Sequence, residues 1–196
     1  FRKAISLSIN RAEYNKACTT ASLPGFGLFN SMHYYDVANG GVYRNEDVAK
    51  EVLCQVYGVN PDDYSSLDEA VATITGYNPT LAKQLIEQAY TQAVADGKID
   101  ADDTVVLTFG TSVINEVTQR RFNYMTEALK EMVKGTSLEG RLETEQKDFA
   151  TSWANDFRAG AYDVCEGGWS GAAWNPGYFL LAYLSPAYMY SQAWDT

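Results

Sequence analysis

The most constraining stretch of the chain opens with a short unbroken apolar run, Val105-Val106-Leu107-Thr108-Phe109. Such a run suits a strand covered on both faces, the habit of parallel sheets. Behind it, Phe122, Met125, Leu129, Met132 and Val133 recur at helical spacing up to Gly135. A second strand is expected over Leu138 to Thr144, then a helix carrying Phe149, Trp153 and Phe157 up to Gly160. Tyr162-Asp163-Val164-Cys165 reads as a third strand. Strand, helix, strand, helix, strand requires parallel pairing through crossovers. The fold class is therefore α/β, with a helical first half packed on or beside the sheet.

That first half carries clear helix punctuation. Asn10 with Glu13 resembles a capping box, and Ser66 with Glu69 is a second. Asn45 precedes the periodic Val48, Val52, Leu53 and Val56, with Gly58 as the stop, and a short helix after Ser66 is expected to close at Gly76. Asn78-Pro79 places a cap before a proline at the first helical position. The helix it starts carries Ala82, Leu85, Ile86, Ala89 and Ala93 until Gly97. Thr19 to Gly41 is the longest irregular segment.

Composition narrows the partners. The 196 residues carry 15 Lys+Arg against 25 Asp+Glu, a formal net charge of -10. Phosphate backbones are bound by neutralising cations, so nucleic acid and anionic membranes are poor partners. No run approaches the roughly 18 apolar residues of a membrane-spanning helix. Cys18, Cys54 and Cys165 are odd in number and widely spaced, which fits buried free thiols rather than a disulfide framework or a zinc site. His33 is the only histidine and reads as a loop residue. No metal or cofactor is expected.

Three motif-like stretches fail as catalytic or ligand loops. Gly168-Trp169-Ser170-Gly171-Ala172 has Ala172 where a nucleophile elbow needs its second glycine, and the histidine lies upstream of the serine. The acidic turn Asp96 to Asp103 has Gln92 and Val94 where a calcium loop begins with carboxylates. Pro24-Gly25-Phe26-Gly27 is simplest as a turn. The chain is read as non-enzymatic, with a hydrolase or transferase using acidic residues as one rival and a structural or interaction module as another.

The segment after the last strand looks most like a site. Glu166, Gly168, Trp169, Ser170, Gly171, Ala172, Ala173 and Trp174 combine small residues with flat aromatics just past a strand's carboxyl end. That edge is where open α/β sheets bind ligands, and small residues admit a ligand close to the backbone.

Three stretches also resemble the family 5 extracellular solute-binding proteins, the receptors of peptide-type ABC importers. They are Phe1 to Arg11, with the pattern F-R-K-A-I-x-L-x-I-N-R; Tyr77-Asn78-Pro79 with Ala82, Lys83 and Leu85; and Ala161-Tyr162-Asp163-Val164 followed by Gly168-Trp169, Pro176 and Phe179. The resemblance implies one lobe of a type II periplasmic-binding-protein-like fold, with a mixed sheet and flanking helices. Residues 1–196 would form this single lobe of a larger protein, and 43–76 a helical elaboration of it. Ligand would sit in a cleft against the other lobe, facing Glu166 and Gly168 to Trp174. The implied ligand is an oligopeptide, the implied partners are the other lobe and ABC permease subunits, and the implied place is extracellular or periplasmic, as a lipoprotein anchored upstream of Phe1. Many peptide-binding members carry an Asp three residues after the Trp, which pairs with the peptide amine; here that position is Ala172. Glu166 is the nearby carboxylate that stands in for it, and an oligosaccharide is the rival ligand, since aromatic faces suit sugar rings.

Overall fold

A computed structural model describes residues 1–19, 22–149, 156, 159–167 and 176–185, without the side chains of residues 179 and 182–184. In chain order the elements are α1 (Arg2–Ser8), α2 (Arg11–Cys18), β1 (Tyr34–Asp36), β2 (Gly41–Val42), α3 (Asp47–Tyr57), α4 (Leu67–Ala72), α5 (Pro79–Ala95), β3 (Val105–Thr111), α6 (Glu116–Val133), β4 (Leu142–Asp148), β5 (Val164–Cys165) and α7 (Pro176–Leu184). Short 3₁₀ turns occupy Tyr43–Asn45 and Pro61–Asp63. The chain forms two compact units: Phe1–Ser22 with Tyr77–Gly167, and Leu23–Gly76 with the residues after Gly167. Residues 43–76 belong to the second, within a longer segment that begins at Leu23.

The first unit is built on a three-stranded sheet in the order β4-β3-β5. Both ladders are parallel: β3 matches β4 from Val105 opposite Leu142 to Thr111 opposite Asp148, and β5 through Phe109 opposite Val164. Alternation then decides which residues enter the core. Leu107 and Phe109 are buried with Ile86 and Tyr90 of α5, Leu129 and Met132 of α6, and Ala4 of α1. Val106, on the opposite face, stays 46% exposed. The apolar run is thus not covered on both faces along its whole length, as its composition suggested.

Local chemistry sets the helix starts. The Asn10 side chain accepts from Glu13 N at 3.2 Å, and that of Asn78 from Leu81 N at 3.0 Å ahead of Pro79. Asn115 accepts from Val117 N and Thr118 N, while Thr118 Oγ1 accepts from Asn115 N at 3.0 Å. This reciprocal cap uses a threonine where a glutamate or glutamine is usual.

Two boundaries differ from the sequence reading. Strand β4 runs from Leu142 to Asp148 rather than from Leu138 to Thr144. Leu138 lies in a chain of turns, with Arg141 N donating to Leu138 O at 2.9 Å, and reaches the core from there at 1% exposure. Its apolar character reports burial, not strand. Phe149 then emerges from the strand end, buried, with Phe149 N donating to Thr111 O. Trp153 and Phe157 of the expected helix lie outside the described residues.

Two side-chain straps complete the unit. Asp163 Oδ2 accepts from Thr108 N at 2.7 Å and Thr108 Oγ1 at 2.8 Å. Since β5 begins only at Val164, the carboxylate serves a β3 amide that the short strand does not reach. Asp163 thus has a structural role. Glu87 on α5 accepts from Ser137 N at 2.7 Å and Ser137 Oγ at 2.5 Å, pinning the turn before β4.

In the second unit β1 and β2 form an antiparallel pair within the stretch expected to be irregular. Asp36 accepts from Asn39 N at 3.1 Å and Asn39 Nδ2 at 2.7 Å, and Gly40 takes a φ of 72° to finish the turn. His33 is buried, its Nδ1 accepting from Asn30 N, with its ring 5.4 Å from Phe29. Helix α3 starts after Glu46, not at an Asn45 cap. Asn45 closes the preceding 3₁₀ turn, and the Glu46 carboxylate accepts from Tyr35 Oη at 2.6 Å instead of capping. Gly58 ends the helix at φ 70°, as its position indicated. Ser66 caps α4 by accepting from Glu69 N, and Cys54, Ala70 and Ile74 form a small core. The α4 helix ends at Ala72, short of Gly76.

The Ser137 hydrogen bonds hold the Glu87 carboxyl below its ordinary value, with Arg141 acting in the same direction. A depressed folded value means stabilisation that is full above the unfolded pKa and lost as pH falls through the folded one. Glu87→Gln is expected to cost roughly 1 kcal/mol near neutrality, after allowance for solvent screening. The difference from the parent should vanish in acid, and denaturant titrations at several pH values check this.

Candidate functional site

Three carboxyl-side features of the sheet meet in the first unit. Strand β3 ends at the buried Thr111, β5 leads directly into Glu166, and the second turn of α6 carries Arg121. Glu166 N donates to Gly110 O at 3.1 Å, which continues the ladder and fixes where its side chain starts. Arg121 Nη1 donates to Glu166 Oε1 at 3.2 Å, and Thr111 Oγ1 donates to Glu166 Oε2 at 3.2 Å. Both carboxylate oxygens therefore have partners within the protein.

These residues line a cavity of about 350 Å³, with Tyr14, Gln146 and Cys165 among its other walls and Phe109, Phe122, Met125 and Val164 as its apolar surface. Thr118, Arg121, Phe122 and Met125 reach it from one face of α6 at helical spacing. Gln146 stands opposite Phe109 in the β3–β4 ladder. Among the described residues, Arg121 Nε and Gln146 Oε1 are buried side-chain atoms without a hydrogen-bond partner.

The cavity holds one charge of each sign. Arg121 and Glu166 side chains are 33% and 37% exposed, so their pair is screened and contributes at most about 1 kcal/mol to stability. Burial raises the Tyr14 hydroxyl above its ordinary pKa, with Arg121 opposing and Glu166 reinforcing the shift. Burial also pushes the Cys165 thiol up to about 11, which keeps it protonated and a poor nucleophile at neutral pH.

A larger concavity of about 770 Å³ lies on the helical side of the same unit, among Tyr77, Pro79, Lys83, Tyr124 and Glu127. Its described lining shares no residue with the strand-end cavity. The strand-end cavity is the better candidate, because it lies at the carboxyl edge of parallel strands.

Of the residues expected to touch ligand, Glu166 lines this cavity. Gly168, Trp169, Ser170, Gly171, Ala172, Ala173 and Trp174 lie outside the described residues. The sequence reading did not single out Arg121, Thr111, Gln146 or Tyr14. A signal for two of them was present: Thr111 ends the apolar run, and Arg121 belongs to the face of the next helix that also carries Phe122 and Met125.

The chain matches the family described as bacterial extracellular solute-binding proteins, family 5, middle region, over residues 1–191. The α/β unit carries a cavity at the carboxyl ends of its parallel strands, the edge where open sheets bind ligands. The chain belongs to this family of extracellular solute-binding proteins. Comparison with curated proteins and with solved structures returned no match.

Gly110 is the position where the site tolerates no side chain. A Cβ there would stand 2.7 Å from Tyr162 Cδ2 and 2.9 Å from Cys165 Sγ. Gly110→Ala is expected to destabilise by about 1–3 kcal/mol through overpacking, measured by denaturant unfolding. Glu166→Gln should cost about 1 kcal/mol or less. It should also lower the Tyr14 pKa, because Arg121 then acts unopposed by the neighbouring carboxylate; NMR titration of isotope-labelled tyrosine reads this shift.

Proposed function

We propose that this chain is one lobe of the solute receptor of an ABC importer, binding its ligand in a cleft closed by a second lobe. The observation that carries this reading is the family match over residues 1–191. The cavity at the strand ends, lined in part by Glu166, supports it. In this reading the ligand contacts Glu166 and the segment Gly168, Trp169, Ser170, Gly171, Ala172, Ala173 and Trp174. An oligopeptide is the leading ligand, and permease subunits are the partners. The receptor would act outside the cytoplasm, anchored through a region upstream of Phe1. Trapping between lobes by hinge closure fits a transport task, since it needs binding and release but no bond chemistry.

A specific observation favours an oligosaccharide as the second reading. Ala172 removes the acidic partner of a peptide amine. Glu166, the nearest substitute, already accepts from Arg121 and Thr111, so its charge is compensated before any ligand arrives. Aromatic Trp169 and Trp174 remain available in sequence to cover sugar rings.

Native mass spectrometry of the full-length protein, purified without unfolding, separates these readings. Retained masses that fragment into amino-acid residues are the expected result. Hexose-spaced additions would transfer the proposal to sugars. A protein that carries nothing, and takes up neither peptides nor oligosaccharides when they are added, would overturn the receptor reading in favour of a structural module.

A further inference from the structure

The tip of the β1–β2 hairpin carries a reactive dipeptide. Val37, Ala38, Asn39 and Gly40 connect the two strands, and Asn39 is the only asparagine of the chain that precedes a glycine. Glycine has no Cβ to crowd its main-chain nitrogen, which makes that nitrogen the least hindered internal nucleophile for the preceding carboxamide. The reacting atoms belong to adjacent residues, and the five-membered ring that joins them needs only rotations within Asn39. Both residues are exposed, which admits the water that the second step consumes. Among the described residues Gly40 N donates to no acceptor, so its attack breaks no hydrogen bond.

Two comparable places in the chain are guarded. Asp96 also precedes a glycine, but Gly97 N donates to Val94 O at 3.0 Å in the turn that ends α5. Asn30 precedes Ser31, whose Cβ crowds the nitrogen, and Asn30 Oδ1 accepts from Met32 N at 2.8 Å. At Asn39 the restraint comes from Asp36. Its Oδ2 accepts from Asn39 Nδ2 at 2.7 Å and its Oδ1 from Asn39 N at 3.1 Å. Those bonds, the side-chain one first, hold the Asp36 carboxyl below its ordinary value. At neutral pH it is therefore a carboxylate, which accepts protons' hydrogen bonds but has no proton to give. Nδ2 must gain a proton to leave as ammonia, so the bond to Asp36 opposes its departure.

We propose that Asn39 is a self-modification site, converted to aspartate and isoaspartate through a succinimide with Gly40, and that Asp36 is the brake on it. Gly40 N gives up its proton and bonds to Asn39 Cγ; the Cγ–Nδ2 bond breaks, and Nδ2 leaves as ammonia with one added proton. Water then opens the ring. Attack at Cγ yields aspartate, and attack at the main-chain carbonyl yields isoaspartate, in which the chain runs through Cγ. Either product removes the Nδ2 donor and sets a second carboxylate near that of Asp36, where like charges repel. Isoaspartate also lengthens the loop that closes where Asp36 pairs with Gly41. The effect reaches α3, because Tyr35, next to Asp36, donates to Glu46 Oε1 at 2.6 Å just before that helix begins. The modification thus opens the hairpin and loosens its hold on the start of α3.

The test ages the full-length protein at mildly alkaline pH and follows Asn39 by peptide mapping. The map reads the mass gained when an amide becomes an acid, and enzymatic methylation marks isoaspartate. Asn39 is expected to convert while Asn30 stays intact, and Asp36→Ala is expected to raise the rate at least about threefold. Asn39→Gln, whose longer side chain would have to close a larger ring, should stay unmodified. Asn39→Asp, a copy of one product, should speed amide exchange across residues 34–42 and leave that of β3 and α6 unchanged. If Asn39 stays intact in both the parent and Asp36→Ala, or converts no sooner than Asn30, the site is overturned. Equal rates in the parent and Asp36→Ala would overturn the brake. Amide exchange unmoved by Asn39→Asp would overturn the opening of the hairpin.

Discussion

The first unit depends on β3, which among the described residues is the strand that pairs on both sides. Its seven residues match β4 without interruption, while β5 offers only a two-residue match on the other edge. A ladder that short cannot hold a strand in place by itself. Asp163 makes up the difference by giving Thr108 N a carboxylate in place of a strand carbonyl. The same strand end fixes Gly110 and Thr111, and Glu166 follows because its amide donates to Gly110 O. Strand pairing therefore sets the position of the site.

Much of this was legible in the sequence, and what was legible had a local cause. The caps of α2, α4 and α5 follow from Asn10, Ser66 and Asn78, whose side chains each reach the amide three residues on. Gly58 ends α3 because a left-handed residue there carries no penalty for glycine. The parallel order followed from apolar runs alternating with helical periods. Leu138 misled because apolarity does not distinguish a strand residue from a turn residue that plugs the core. Glu46 displaced Asn45 because Tyr35, eleven residues upstream, engages its carboxylate. The small hairpin at Tyr34 to Val42 was hidden for a related reason. Its turn is made by Asp36 and Asn39 side chains, not by a two-residue glycine turn.

The site divides in the same way. Glu166 was legible because it follows a strand, and carboxyl ends of parallel strands collect ligands. Its partners were not, since Arg121 is 45 residues away and Thr111 is 55 away, and their meeting depends on register. The resemblance located a carboxylate near the expected amine position without showing that an arginine already neutralises it.

That neutralisation changes what Glu166 can do. The chain as a whole is strongly acidic, with a net charge of -10, so a cationic ligand is favoured at long range. Inside the cavity the balance is different: one guanidinium and one carboxylate leave no net charge for a ligand ammonium to answer. Long-range attraction affects how often a ligand arrives, and short-range hydrogen bonding decides which one stays. The Arg121–Glu166 pair is about one-third exposed, so a ligand that displaced it would break a screened interaction rather than a dry one.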